Sequence, residues 1–219
     1  MRFKITLKGN VDVFPSDFDD IFATIIYEKL LSVSEEMFDN FEFYNFSYFN
    51  IEDYYEDVDG SFYSRDSKIN FTVSSVNEDF LRCFLSLLLV EELKFNDYEF
   101  VVVGVELLEN PDFTTSQVYL VTSSPIYVNI NDYKFYLNDY LVNLLKRNYF
   151  KCYGVTSNLH FDIYIENYEK HDVLIDDEYA NLYQMKLVFE GDIKLIQFAW
   201  DVGLGKFNYK GYGMLDIEK

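Results

Sequence analysis

The chain passes twice through nearly the same order of hydrophobic periods, and this repetition limits the folds open to it. "RFKITL" alternates as a strand does, with Phe3, Ile5 and Leu7 on one side. A capping pattern at Pro15, Ser16 and Asp19 opens a helix whose Phe18, Phe22, Ile25, Ile26 and Leu30 recur at helical spacing. "FEFYNFSYF" and "KINFTVSSV" read as strands. Asn77 then caps a second helix with Phe80, Leu81, Phe84, Leu85 and Leu88 inward, and "YEFVVVGVELL" reads as a strand whose unbroken apolar run predicts burial on both faces.

Asn110-Pro111-Asp112 interrupts the pattern, and the order then resumes. "SQVYLVTSSPIYV" is a strand kinked at Pro125. "LNDYLVNLLKRNYF" is a helix with Leu141, Leu144 and Leu145 inward, and "LHFDIYIENY" alternates. "YQMKLVFEGDIKLIQFAW" reads as a hairpin turning at Glu190-Gly191-Asp192, and "YGMLDI" is a last strand. The order predicts an α+β fold. It consists of two tandem ferredoxin-like domains, 1–112 and 113–219, each an antiparallel sheet with helices on one face.

Charge narrows the function. Among 219 residues, 18 Lys and Arg face 38 Asp and Glu, a net of -20. Nucleic-acid binders gain affinity when their own cations replace counterions around phosphate, and most of this chain has the wrong balance for that. The acidic excess reads either as a solubilising surface or as a face for a basic partner. Cys83 and Cys152 are too few for a disulfide framework, and no apolar run approaches 18 residues, so a cytoplasmic protein with no membrane partner is expected. "EDYYEDVDG" lacks the order of a calcium-binding EF-hand loop, and scattered cysteines and histidines do not suggest zinc; neither a metal nor a cofactor is expected.

One stretch runs against the charge. "GLGKFNYKGYG", residues 203–213, holds four of nine glycines, two lysines and three aromatics. Gly203, Gly205, Gly211 and Gly213 permit positive φ and close approach, exposed N–H groups in such a turn form an anion-binding concavity, and Lys206 and Lys210 add charge. The alternative is a glycine-rich hairpin loop with no ligand. The stretch is not a Walker A sequence.

The tail "LIQFAWDVGLGKFNYKGYGMLDI" resembles the C-terminal glycine-rich signature of the Cas6 family of CRISPR-associated endoribonucleases. "MRFKITL", "IIYEKLL", the Ser-Pro step of "VYLVTSSPIYV" and "YLVNLLKRNY" resemble further family segments in the same order. The resemblance implies tandem domains like the RNA-recognition motif and a metal-independent cut of CRISPR repeat RNA that leaves a 2′,3′-cyclic phosphate. It also implies a helix tyrosine, matched by Tyr27, and a histidine in a Leu-His-x-x-Gly-aromatic-Lys context. Here Met37 or Phe38 falls at the histidine, and Asn40-Phe41-Glu42 replaces Gly-aromatic-Lys. His160, read as a strand residue, and His171, read in a polar turn, are expected to be structural or exposed.

Between Val11 and Gly60 stand 14 acidic side chains and one basic one, Lys29. They are Asp12, Asp17, Asp19, Asp20, Glu28, Glu35, Glu36, Asp39, Glu42, Glu52, Asp53, Glu56, Asp57 and Asp59. This is either a solvated face or an imitation of phosphates that docks on a basic protein groove. The leading expectation is therefore a non-catalytic Cas6-like inhibitor of a CRISPR system. It would bind effector subunits through Glu35, Glu36, Asp39, Glu42, Glu52, Asp53, Glu56, Asp57 and Asp59. The alternatives are a repeat-RNA endoribonuclease using Tyr27, Lys206 and Lys210, and a non-cutting binder of guide-RNA hairpins through the glycine loop. The sequence does not fix the oligomeric state.

Overall fold

The computed structural model describes residues 1–10, 13–14, 18–39, 41–47, 50–51, 54–56, 62–64, 68–91, 93–95, 98–111, 113–115, 117–129, 136–154, 160–175 and 178–217. The chain divides into two compact units, Met1–Glu109 and Asn110–Lys219. The first runs β1 (Arg2–Gly9), β2 (Val13–Phe14), α1 (Phe18–Met37), β3 (Tyr44–Phe46), β4 (Asn50–Ile51), β5 (Tyr54–Glu56), β6 (Phe62–Ser64), β7 (Lys68–Ser75), α2 (Glu78–Val90), β8 (Leu93–Phe95) and β9 (Tyr98–Leu108). Among the described residues its main sheet has the order β3-β7-β1-β9-β8, with β4 also on β7.

Register explains the core of this unit. Antiparallel pairing sets Phe3 opposite Val73, Ile5 opposite Phe71 and Leu7 opposite Ile69, so these side chains share one face. The helices lie on that face. Phe22 of α1 meets Phe71 edge-on at 5.4 Å, and Phe80 of α2 stacks on Tyr44 at 4.8 Å. Phe18, Phe22, Phe71 and Phe80 are fully buried, each worth about 1.5–3 kcal/mol of apolar transfer. The α2 N-terminus is held as its sequence requires. Asn77 Oδ1 accepts from the backbone N–H groups of Asp79 and Phe80. At α1 the expected cap residues Pro15 and Ser16 lie outside the described residues. The side chain of Asp19, inside the helix, is not described either.

β9 departs from expectation. Its apolar run predicts two buried faces, yet Val101, Val103, Val105 and Leu107 are exposed. An apolar run in an antiparallel sheet does not imply cover on both faces: Val101 lies opposite Lys8, away from the helices, while Val105 and Leu107 lie opposite Ile5 and Phe3 on the helix-bearing face and are still left uncovered.

The second unit runs β10 (Gln117–Thr122), β11 (Ile126–Asn129), α3 (Leu137–Tyr153), β12 (Phe161–Ile175), β13 (Glu178–Gly191), α4 (Ile193–Val202), a 3₁₀ turn (Asn208–Lys210) and β14 (Leu215–Ile217). β13 is central: β12 lies on one edge, and β10 and β11 share the other. The expected kink is therefore real. Val121 pairs with Lys186 and Ile126 with Tyr183, and the chain steps over the gap through Ser123-Ser124-Pro125.

The expected hairpin at Glu190-Gly191-Asp192 is not formed. β13 ends at Gly191, and after Asp192 the next ten residues are α4. The Asp192 carboxylate accepts from Lys194 N–H at 2.8 Å, and Leu195, Ile196, Phe198, Ala199, Trp200, Asp201 and Val202 are all buried, so the helix is covered nearly all round. The strand partner of β13 precedes it in sequence: β12 pairs with it from Phe161 to Ile175. His171 consequently lies within β12, opposite Leu182 and exposed, instead of in a turn. Tyr149 and Tyr153 of α3 pack against Phe198 of α4, and together with Leu141, Leu144 and Leu145 they complete the helical side of the unit.

The β13–α4 junction yields an ordered prediction. Gly191 has φ +131, and a Cβ there would lie 2.2 Å from the His160 carbonyl oxygen. Asp192→Ala should cost about 1 kcal/mol, the typical value of a lost cap. Gly191→Ala should cost more, about 2–3 kcal/mol or above, through strain and clash. Thermal or urea unfolding checks the order; equal losses would contradict the described junction.

Candidate nucleic-acid interface

The glycine stretch begins where α4 stops, and its shape is set by residues about 90 positions earlier. Gly203 N–H donates to Ala199 O and closes the helix. Leu204 N–H then donates to Gly213 O, and Gly213 N–H donates to Pro125 O, each at 2.8 Å. Lys206 N–H reaches Tyr127 O at 3.3 Å, forming an isolated antiparallel bridge to β11. Ser123 and Ser124 both donate their N–H groups to Met214 O, and Met214 N–H returns a bond to Ser124 Oγ at 2.9 Å. The Ser-Pro kink and the glycine tail are thus two halves of one structure.

Two glycines are required by close approach. At Gly213 (φ +74) a Cβ would stand 1.9 Å from Leu204 O, and at Gly205 (φ +99) one would stand 2.6 Å from Ile126 Cγ2. Part of the expected cradle of N–H groups is turned inward: those of Gly203, Leu204, Lys206, Lys210, Gly211 and Gly213 donate to carbonyls of the same unit. Outward the loop offers partly exposed side chains.

These side chains form an aromatic group with cations beside it. Tyr127 meets Phe207 edge-on at 4.8 Å and Tyr212 at 5.5 Å; Phe207 meets Tyr209 at 6.1 Å. Lys210 Nζ lies 5.2 Å from the Phe207 ring centroid, a cation–π distance. Lys206, Phe207, Tyr209, Lys210 and Tyr212 are all partly exposed. Aromatic faces accept nucleobases by stacking, and lysines neutralise phosphate. The sequence marked the lysines. Tyr127 was missed because only the fold brings it under the loop; the three aromatics inside "GLGKFNYKGYG" were the available signal.

The first unit has the opposite character. Tyr27 lies on α1, and its hydroxyl is held above the usual value of 10, first by burial and then by the nearby carboxylates Glu35 and Glu42. Glu35, Glu36, Asp39 and Glu42 are exposed. Lys29, the base of this acidic stretch, is paired with Glu91 at 2.6 Å. Where a histidine was sought, Phe38 packs edge-on against Phe80 and Met37 faces solvent. Neither carries a proton to transfer. Glu52, Asp53, Asp57 and Asp59 lie outside the described residues, as does the side chain of Glu56. His160 is exposed with Nε2 3.5 Å from Asp162, and among the described residues no group of three His, Cys, Asp or Glu is placed to hold a metal ion.

Comparison with known proteins completes the assignment of lineage. The profile of the family "CRISPR associated protein Cas6, C-terminal" matches residues 108–217. The chain belongs to the Cas6 family. It is 27% identical to the CRISPR-associated endoribonuclease Cas6 1 of Methanocaldococcus jannaschii, over 98% of this chain and 92% of that protein. A solved Cas6 structure superposes with a TM-score of 0.84 at 25% identity, covering 100% of this chain and 99% of the other. A Cas6-related protein of Pyrococcus furiosus gives 0.81 at 19% identity, with 100% and 98% covered. A RAMP protein that binds different RNA substrates gives 0.80 at 19%, with both chains fully covered. The last two establish shared fold, in agreement with two tandem ferredoxin-like units. Among the described residues no helix is long and apolar enough to cross a membrane. The family match spans residues 203–213 and their Ser-Pro partner; Tyr27 lies outside it.

Two outcomes test this geometry. Gly213→Ala should destabilise the second unit by at least about 2 kcal/mol, whereas Lys210→Ala should leave its melting temperature nearly unchanged; a tolerated Gly213→Ala would contradict the closed loop. In alkaline titration followed by tyrosinate absorbance, Tyr27 should ionise above pH 10, and Tyr153, pushed up to about 12 chiefly by burial, should ionise after it. Since both values are raised, the stabilisation from the neutral hydroxyls is full below pH 10 and is lost as pH rises through the raised values. Glu42→Gln removes a negative neighbour and should lower the Tyr27 value; an upward shift would contradict the assignment.

Proposed function

We propose that this Cas6 family member binds CRISPR repeat RNA through the 203–213 loop of its second unit and holds that RNA without cutting it at Tyr27. The observation that carries the reading is the contrast between the two surfaces. The loop presents Lys206 and Lys210 with Phe207, Tyr209 and Tyr212 on a backbone tied to Ser123–Tyr127. Tyr27 instead has Glu35 and Glu42 as its charged influences.

Scission by a ribose 2′-hydroxyl needs a base for the hydroxyl, an acid for the leaving oxygen and positive charge for the phosphorane. A tyrosine whose proton is held more tightly than usual is a poor base at neutral pH. Carboxylates beside it raise the energy of a phosphorane. RNA binding makes neither demand. It needs stacking surfaces and a few cations, which the loop supplies.

A second reading keeps the inhibitory role. The exposed Glu35, Glu36, Asp39 and Glu42 at the end of α1 would dock on a basic effector surface. The first reading accounts for the same charges more simply, as a surface that keeps RNA backbone on the second unit.

Labelled repeat RNA, incubated with the chain and EDTA over a salt series, separates these readings. Binding should weaken steeply with salt, and the double variant Lys206→Ala/Lys210→Ala should reduce the log–log slope by about 1.4, at about 0.7 per contact on single strands. The RNA should remain intact. Products ending in 2′,3′-cyclic phosphate would overturn the non-cutting half of the proposal. No binding at low salt, with capture of an assembled effector instead, would favour the inhibitor.

A further inference from the structure

The longest interval of the chain without an acidic residue runs from Tyr140 to Phe161, 22 residues in a protein that carries 38 Asp and Glu. Lys146, Arg147 and Lys151 stand in it, all three on α3. None of them makes an ion pair among the described residues. Arg147 and Lys151 are four residues apart and so are neighbours on the helix surface, where a like-charge pair costs stability. Lys151 lies in the last turn, which suits the helix dipole. Lys146 and Arg147 precede that turn and lack this reason to be basic.

An aromatic ring stands among these cations. Leu141, Leu144 and Leu145 define the buried side of α3. Phe150 follows Leu141 by nine residues, two and a half turns, and therefore projects from the opposite side. It is 46% exposed. Lys146 and Arg147 precede it by four and three residues, the spacings at which helix side chains are neighbours, and Lys151 follows it directly. Tyr149 and Tyr153 turn the other way and meet Phe198 of α4 at 5.3 and 5.8 Å. The helix is closed just beyond, where Gly154 takes φ +67 and donates its N–H to Phe150 O.

This chemistry selects its partner. An uncovered ring gives a nucleobase a face to stack on, and cations beside it neutralise the phosphates on either side of that base. An acidic protein segment would use the cations and leave the ring unused. Position favours the same partner. Phe198, which carries Tyr149 and Tyr153, stands five residues before Gly203, about 7.5 Å along α4 at 1.5 Å per residue. The 203–213 loop begins there and lies within a second acid-free interval, 202–215, that holds Lys206 and Lys210. The fold thus joins two basic, aromatic intervals of the sequence through α4.

We infer that the outer face of α3 is a second contact for RNA, in which Phe150 stacks one unpaired base while Arg147 and Lys151 hold the adjoining phosphates. The inference rests on the proposed RNA binding at the loop and extends the bound strand onto α3.

The test uses the full chain and single-stranded repeat RNA over a salt series. Arg147→Gln/Lys151→Gln should reduce the log–log slope by about 1.4, at about 0.7 per contact on single strands. Phe150→Ala should weaken binding by about 5-fold to about 150-fold, the range of one base–aromatic stack, at unchanged slope. Phe150→Trp, which keeps a stacking face, should retain wild-type affinity, and its behaviour separates loss of stacking from loss of fold. Wild-type affinity in Phe150→Ala, or a wild-type slope in the double variant, would overturn the α3 contact and leave the loop reading intact. Poly-glutamate that competes as well as RNA of equal charge would also overturn it, in favour of an acidic protein partner. Absence of RNA binding by the wild-type chain would overturn both readings.

Discussion

Leu204 N–H donates to Gly213 O across a space too narrow for a methyl group, and Gly213 N–H in turn donates to Pro125 O. Much of the second unit's proposed binding surface depends on that clamp. It fixes where α4 ends, draws Met214 onto Ser123 and Ser124, and aligns Lys206 with Tyr127. Six of the loop's backbone donors are bonded within the unit, and its side chains from Lys206 to Tyr212 include five that are partly exposed. A glycine-rich sequence usually suggests a flexible or anion-cradling backbone. Here glycine serves close packing.

The two units divide the electrostatic work. The end of α1 concentrates Glu35, Glu36, Asp39 and Glu42, with Lys29 already paired to Glu91. The second unit offers lysines beside aromatic rings. In a chain of net charge -20, long-range attraction for RNA is weak, so in the proposed binding stacking has to add to the lysine–phosphate contacts of the loop. That requirement gives the aromatic content of the 203–213 loop a physical purpose under the proposed function.

The legibility of this molecule varied with the range of the forces involved. The α1 and α2 stripes from Phe18 to Leu30 and from Phe80 to Leu88 were readable because a helix buries residues by local spacing, and the Asn77 cap was readable because it acts over three residues. The residues 193–202 were misread as a strand. "IKLIQFAW" admits both a period near two and one near 3.6, and the choice was made by Asp192 as a cap and by the absence of a free partner edge on β13, already occupied by β12, β10 and β11. The apolar run of β9 was misread for a related reason: composition reports what a strand tolerates, while the number of covering layers is a property of the whole unit.

From its residues alone the chain declared an α+β fold with two successive units, the inward faces of α1, α2 and α3, and kinship with Cas6 through a glycine tail and a Ser-Pro step. Those features are local, set by side-chain period, backbone freedom and short motifs. Tertiary structure alone decided which loop donors are spent and that Tyr127 lies beneath Phe207 and Tyr212. Each of these depends on hydrogen bonds or contacts between residues tens of positions apart, and no local pattern specifies which distant partner will satisfy a given donor.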